Sequence, residues 1–136
     1  MAEARRKVRA LALQVLYEVD SVGHDVDKTL TRLLATERLS EENAIFVREL
    51  VRGVIQSKEK IDRNIQNFAS AWPIEQMAVI DRNVLRLAIF EILFDNKVSL
   101  KIAINEAVEL AKLFGSDNSP KFVNGVLGSV SALASR

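Results

Sequence analysis

Apolar residues recur along this chain at three- and four-residue intervals almost without a break, the spacing of helices that each bury one face. Val8, Leu11, Ala12, Val15 and Val19 form the first stripe and predict a helix from about Ala4 to Ser21, closed by Gly23. Asp25 then reads as the N-cap of a short second helix with Leu30, Leu33 and Leu34 facing inward. Ser40 caps a third, whose first turn carries Glu41 and Glu42 where the helix dipole favours acids. Its apolar positions are Ile45, Phe46, Leu50, Val51, Val54 and Ile55, and Gly53 inside it predicts close helix–helix packing. Ser57 opens a fourth with Ile61, Ile65 and Phe68.

The stretch 67–73 is the expected seam, because Pro73 cannot continue the preceding helix and suits the start of the next. The fifth helix, about Ile74 to Phe94, is apolar in nearly every direction, as a helix surrounded by others must be. Glu91 lies on an apolar side of it and is expected to be buried, accepting hydrogen bonds from a helix N-terminus or an arginine. A sixth helix covers about Ile102 to Phe114, with Gly115 as its C′ residue. Ser119 and Pro120 then form an N-cap and first-turn pair for a seventh, about Pro120 to Leu133. Asn105 and Asn124, set among apolar residues, are read as internal hydrogen-bonding groups. Strands find little support. The expectation is a single all-α domain of seven helices over 1–136, with helical halves at 1–70 and 71–136 meeting near Trp72.

Composition narrows the function. With 136 residues, 49% of them apolar and 27% charged, the chain can bury one sizeable core. There is no cysteine, so disulfides, thiol nucleophiles and thiolate metal sites are excluded. No apolar run reaches the ~18 residues of a membrane span. The basic N-terminus lacks the continuous apolar block of a secretory signal, which makes a cytoplasmic location the expectation. The only histidine, His24, sits in a turn with Asp25 and Asp27 and is read as solvated. Phosphate-binding glycine loops and nucleophile–histidine arrangements are absent from the sequence. A non-enzymatic protein needing no metal and no cofactor is the expectation.

Charge points to a partner. Arg5, Arg6, Lys7 and Arg9 give the first nine residues a net +3, while the whole chain is only +1. At about 100° per residue, these cations and Tyr17 share a side of the first helix away from its apolar stripe. Guanidinium forks match phosphates, and an aromatic ring offers a stacking face for an unpaired base. The start of the seventh helix, with Lys121 and Phe122 in its first turn, is a second anion-friendly place. On pattern alone Phe122 reads as core.

Four blocks also carry a family resemblance: the Arg5–Arg9 run followed by Ala-Leu-Gln-Val-Leu-Tyr at 12–17, Arg-Asn-Val-Leu-Arg-Leu-Ala-Ile-Phe-Glu at 82–91, Ile-Asn-Glu-Ala-Val-Glu-Leu-Ala-Lys at 104–112, and Lys-Phe-Val-Asn-Gly-Val-Leu at 121–127. Together they resemble the transcription antitermination factor NusB family, in order and spacing. The resemblance implies two packed helical subdomains and a role in antitermination of ribosomal-RNA transcription. It also implies binding of single-stranded boxA RNA together with NusE, a small-subunit ribosomal protein, within the transcription elongation complex. Residue by residue, it assigns RNA contact to Arg5, Arg6, Lys7, Arg9, Tyr17, Asn118, Lys121 and Phe122, and NusE contact to Asp81. The family often has Glu where this chain has Asp81 and Asp where it has Asn118; the second change removes a negative charge near the RNA. The relative to exclude is the NusB-like domain of a ribosomal-RNA cytosine methyltransferase, which continues into a catalytic domain where this chain stops at Arg136. The alternative function is a helical protein-interaction module that covers its basic patch as a homodimer.

Overall fold

The computed structural model describes residues 2–69, 71, 73–95 and 97–133. They form α1 (Ala2–Val22), α2 (Val26–Ala35), α3 (Glu41–Gln56), α4 (Lys58–Phe68), α5 (Val79–Ile89), α6 (Leu100–Phe114) and α7 (Ser119–Ser131), with no strand among the described residues. A 3-10 turn, Ile74–Gln76, precedes α5, and a π turn, Phe90–Asp95, follows it. The chain divides into two compact units, Met1–Gly53 and Val54–Arg136, the change falling inside α3. The seam expected at 67–73 lies within the second unit; Trp72, which marked it, is outside the described residues.

In the first unit the caps fall where the sequence puts them. Asp25 accepts the Lys28 amide at 2.9 Å, and Ser40 accepts that of Asn43 at 3.1 Å. Gly23, at φ +79°, ends α1 by donating its N–H to the Val19 carbonyl at 3.0 Å. Val8, Leu11, Leu13, Val15 and Leu16 of α1, Leu30 of α2, and Phe46, Val47, Leu50 and Val51 of α3 are buried. Leu33 and Leu34 are only half-buried, and Ile45 is exposed rather than core. Glu18 clasps α1 to α2. Its carboxylate accepts hydrogen bonds from Arg32 and from Thr29 at 3.3 Å, and pairs with His24 Nδ1 at 2.7 Å. The hydrogen bond from Arg32, then that from His24, pulls the Glu18 pKa down to about 2.

The second unit is built on α5, in which Asn83, Val84, Leu85, Arg86, Leu87, Ala88 and Ile89 are all buried in succession. That run matches the all-round apolar reading, and α4, α6 and α7 pack against it. One member of the run is a guanidinium. Arg86 meets both carboxylate oxygens of Asp62 on α4, at 2.8 and 3.1 Å, and donates to the Asn83 amide oxygen at 3.1 Å. Asn83 in turn donates to the Val79 carbonyl at 2.9 Å. Among the described residues, every buried side-chain nitrogen or oxygen has a partner.

Three expectations need correction here. The fifth helix is not continuous from Ile74 to Phe94; Met77 and Ala78 take extended backbone angles between the 3-10 turn and α5. Apolar spacing persists through that break because Ile74 before it, Met77 within it and Val84 after it are all buried. Asn105 and Asn124 are exposed, and the buried asparagine is Asn83. One helix start also shifts: α6 begins earlier than expected, capped by Ser99, whereas Ser57 stands at the N-cap of α4 as expected but without a side-chain cap bond. Glu91 is buried as expected, within the π turn, where the Phe90 and Phe94 rings stack at 6.4 Å.

Two outcomes are expected. Asp62→Ala leaves a buried guanidinium without its carboxylate and lowers unfolding free energy by about 3 kcal/mol, read by urea denaturation at neutral pH. Glu18 contributes stability that is complete above its ordinary value of 4.5 and disappears as pH falls toward about 2. Thermal melts of Glu18→Gln and the parent should therefore differ at pH 6 and converge at pH 2.

Candidate nucleic-acid interface

Within the first unit, the basic end of α1 is held by residues of α3 and of the turn before it. Arg5 lies over the Phe46 ring, 4.0 Å from its centroid, and its Nη2 is 3.2 Å from Glu42 Oε1. Burial decides which contact places it. Glu42 is 82% exposed, and an exposed ion pair contributes about 0.2–1 kcal/mol. A partly exposed guanidinium over a ring gains about 0.5–1 kcal/mol, a similar amount, but Phe46 is itself buried and fixed whereas Glu42 is not. The ring therefore sets where Arg5 stands, and Glu42 balances its charge. Lys7 pairs with Glu37 at 3.1 Å. Arg6 is exposed on the same stretch of helix.

Arg9 departs from the expected arrangement. It is 4% exposed, and its guanidinium sits 6.0 Å from the Phe46 centroid. The wheel placed Arg9 among the outward cations, but α3 covers that side. Periodicity shows Phe46 only as core; its role as the platform beneath two arginines depends on partners some forty residues away in sequence. Tyr17 is 43% exposed, so its ring is accessible; its carbonyl accepts the Ser21 hydroxyl at 2.6 Å.

Within the second unit, Gln76, Met77, Ala78, Asp81, Asn118 and Phe122 line a cleft of about 290 Å³. Three residues singled out from the sequence, far apart along the chain, are thereby brought to one place. Arg82 donates to the carbonyls of Ile74 and Glu75, each at 3.2 Å, and so fixes the 3-10 turn that supplies Gln76 to the rim. Gln66 accepts the Ile74 amide at 2.9 Å and braces the same turn. Phe122 is half-buried on the cleft wall rather than sealed in the core, and Lys121 beside it is exposed. Asn118 occupies the N-cap position of α7 without a side-chain cap bond.

The expected cap, Ser119, does something else. Its hydroxyl donates to Asp81 Oδ1 at 2.5 Å and accepts the Ser116 amide at 2.9 Å. Gly115 departs from expectation as well. It has an ordinary extended conformation instead of the left-handed one, and a Cβ there would stand 2.4 Å from Ser119 Oγ. Glycine is required there by crowding. No cluster among the described residues could hold a metal ion, and no described helix is long and apolar enough to cross a membrane. Apolar walls, an aromatic face, amides and one carboxylate suit binding.

Comparison with known proteins identifies the family. A family model described as the NusB family matches residues 6–132. A Dehalococcoides mccartyi protein named transcription antitermination protein NusB is 55% identical over 131 residues, covering 96% of this chain and 92% of its own. Its Chloroflexus aggregans namesake is 51% identical, covering 96% and 88%. Among solved structures, T. maritima NusB has a TM-score of 0.90 at 32% identity, covering 97% of this chain and 93% of its own. A crystal structure of antitermination factors NusB and NusE in complex with double-stranded RNA has a TM-score of 0.89 at 25% identity, covering 98% and 99%. The helical order, the basic start of α1 and this end-to-end similarity have one explanation: the chain belongs to the NusB family of transcription antitermination proteins.

Proposed function

We propose that this chain is a non-enzymatic, cytoplasmic RNA-binding adaptor that acts with NusE on boxA RNA of ribosomal-RNA operons during transcription elongation. The observation that carries this reading is the relative solved with NusE and RNA, whose similarity extends over nearly the whole chain. The geometry supports it at both places. Arg5, Arg6 and Lys7 supply phosphate contacts, and Tyr17 stacks on an unpaired base. Arg9 belongs to the same motif but serves from beneath, packing on Phe46. Asn118, Lys121 and Phe122 contact RNA at the cleft, and Asp81 faces NusE.

Glu37 and Glu42 bear on this reading directly, since a phosphate must displace them from Lys7 and Arg5. Both pairs lie at the surface, so the displacement costs little. The same pairing is what a protein-interaction module would show, its cations already balanced and its function indifferent to them. A homodimer would be compatible with either reading.

The test compares boxA-type, scrambled and double-stranded RNA, with and without NusE. For the parent, log K should fall with log salt at a slope of roughly −2, about −0.7 for each of three phosphates on a single strand. Changing Arg5, Arg6 and Lys7 together to alanine should weaken binding by at least about tenfold and flatten that slope. An interaction module would ignore the triple change. Conversely, Glu37→Gln with Glu42→Gln should tighten RNA binding by roughly three- to tenfold, measured by fluorescence anisotropy at low salt.

A further inference from the structure

We propose that Ser119 is a positioning residue for the cleft: its buried hydroxyl pins the turn between α6 and α7 to Asp81 on α5, and so sets where Asn118 and Phe122 stand. The hydrogen-bond inventory leaves that hydroxyl no freedom. A serine offers one donor and two acceptor lone pairs. Asp81 Oδ1, at 2.5 Å, can only accept when ionised, so Ser119 donates its proton there. The Ser116 amide, at 2.9 Å, can only donate and takes one lone pair. Ser116 Oγ, at 3.2 Å, then donates to the other. Ser119 is 1% exposed, so water does not reach its hydroxyl to replace these partners.

The neighbouring residues fit around this arrangement. A Cβ on Gly115 would lie 2.4 Å from Ser119 Oγ, 2.5 Å from its Cβ and 2.8 Å from the Ala111 carbonyl oxygen. The last of these is backbone and cannot step aside. Any other residue at 115 therefore displaces Ser119. The pinned turn leads straight into the binding wall: Asn118 precedes Ser119, and the Phe122 amide donates to the Asn118 carbonyl at 3.1 Å. Asp81 is itself on the cleft wall. One hydroxyl thus couples the three cleft residues that α5 and α7 contribute separately. Because Asp81 is only half-buried, solvent can satisfy it when the hydroxyl is gone. The loss then falls on the placement of the cleft and not on folding.

This inference rests on the RNA-binding reading for its functional consequence, but its structural content is measured without RNA. Amide and aromatic NMR signals of Asn118 and Phe122 are compared in the full chain for the parent, Ser119→Ala, Gly115→Ala, Asp81→Ala and Asp81→Asn. The first three variants should move both residues' signals in a common pattern. Asp81→Asn keeps an acceptor oxygen for the hydroxyl and should leave them near the parent positions. Ser119→Ala should keep a cooperative melt, weaken boxA-type RNA binding in the presence of NusE by roughly tenfold, and leave the salt slope unchanged, since the three cations counted in that slope, Arg5, Arg6 and Lys7, lie on α1 and Lys121 keeps its charge. Unmoved Asn118 and Phe122 signals in Ser119→Ala would overturn the proposal, as would a loss of affinity that comes with a changed salt slope. If the parent binds no RNA, the function proposed above falls, and the signal pattern alone decides the role of Ser119.

Discussion

A guanidinium that cannot leave the interior sets the terms for the second half of this molecule. Arg86 sits in the middle of seven consecutive buried residues on α5. Its charge is tolerable there only while Asp62 of α4 and Asn83 of its own helix meet it. Apolar side chains would let α4 slide or turn along α5 at modest cost. The two-pronged bond to Asp62 admits one register. Everything at the start of α5 inherits that placement: Arg82, which ties down the 3-10 turn, and Asp81, which receives Ser119. A buried ion pair adds little net stability over a well-packed apolar pair. Its value here is that α5 arrives at the cleft in one orientation.

In the first unit, Phe46 plays the corresponding part by a different physical route. Its ring gives two arginines of α1 a polarizable surface where a carboxylate would fully cancel them. The cations stay charged and close to the helix end. The acids that do approach, Glu37 and Glu42, come from the exposed side, where attraction is screened. The result is a basic region fixed in position by an aromatic contact and faced by two acids that pair with its outer cations.

The sequence shows the helices well because burial of one face repeats at helical spacing, and local caps at Asp25 and Ser40 mark their starts. It shows the basic run and the aromatic positions because these are local in the chain. What stays hidden is whatever depends on a distant partner. Asn105 and Asn124 have apolar neighbours in sequence but face solvent, whereas Asn83 is buried since Arg86 needs its oxygen. Arg9 is outward on a lone helix and inward once α3 is present. The break at Met77 and Ala78 escapes periodicity because both flanks are buried. The cleft joins residues near 77, 81, 118 and 122, and no single window of the chain contains them.

Two of the glycines have opposite requirements. At Gly115 the torsions suit any amino acid and only space is lacking. At Gly23 nothing lies within 4 Å of where a Cβ would stand, yet φ is +79°. A positive φ of that size is disfavoured for L side chains, so the turn after α1 selects handedness and not size. In a chemically synthesised chain, D-alanine at position 23 would adopt the turn without strain. It would also restrict the unfolded chain, stabilising a corner that achiral glycine enters freely and L-residues enter only under strain.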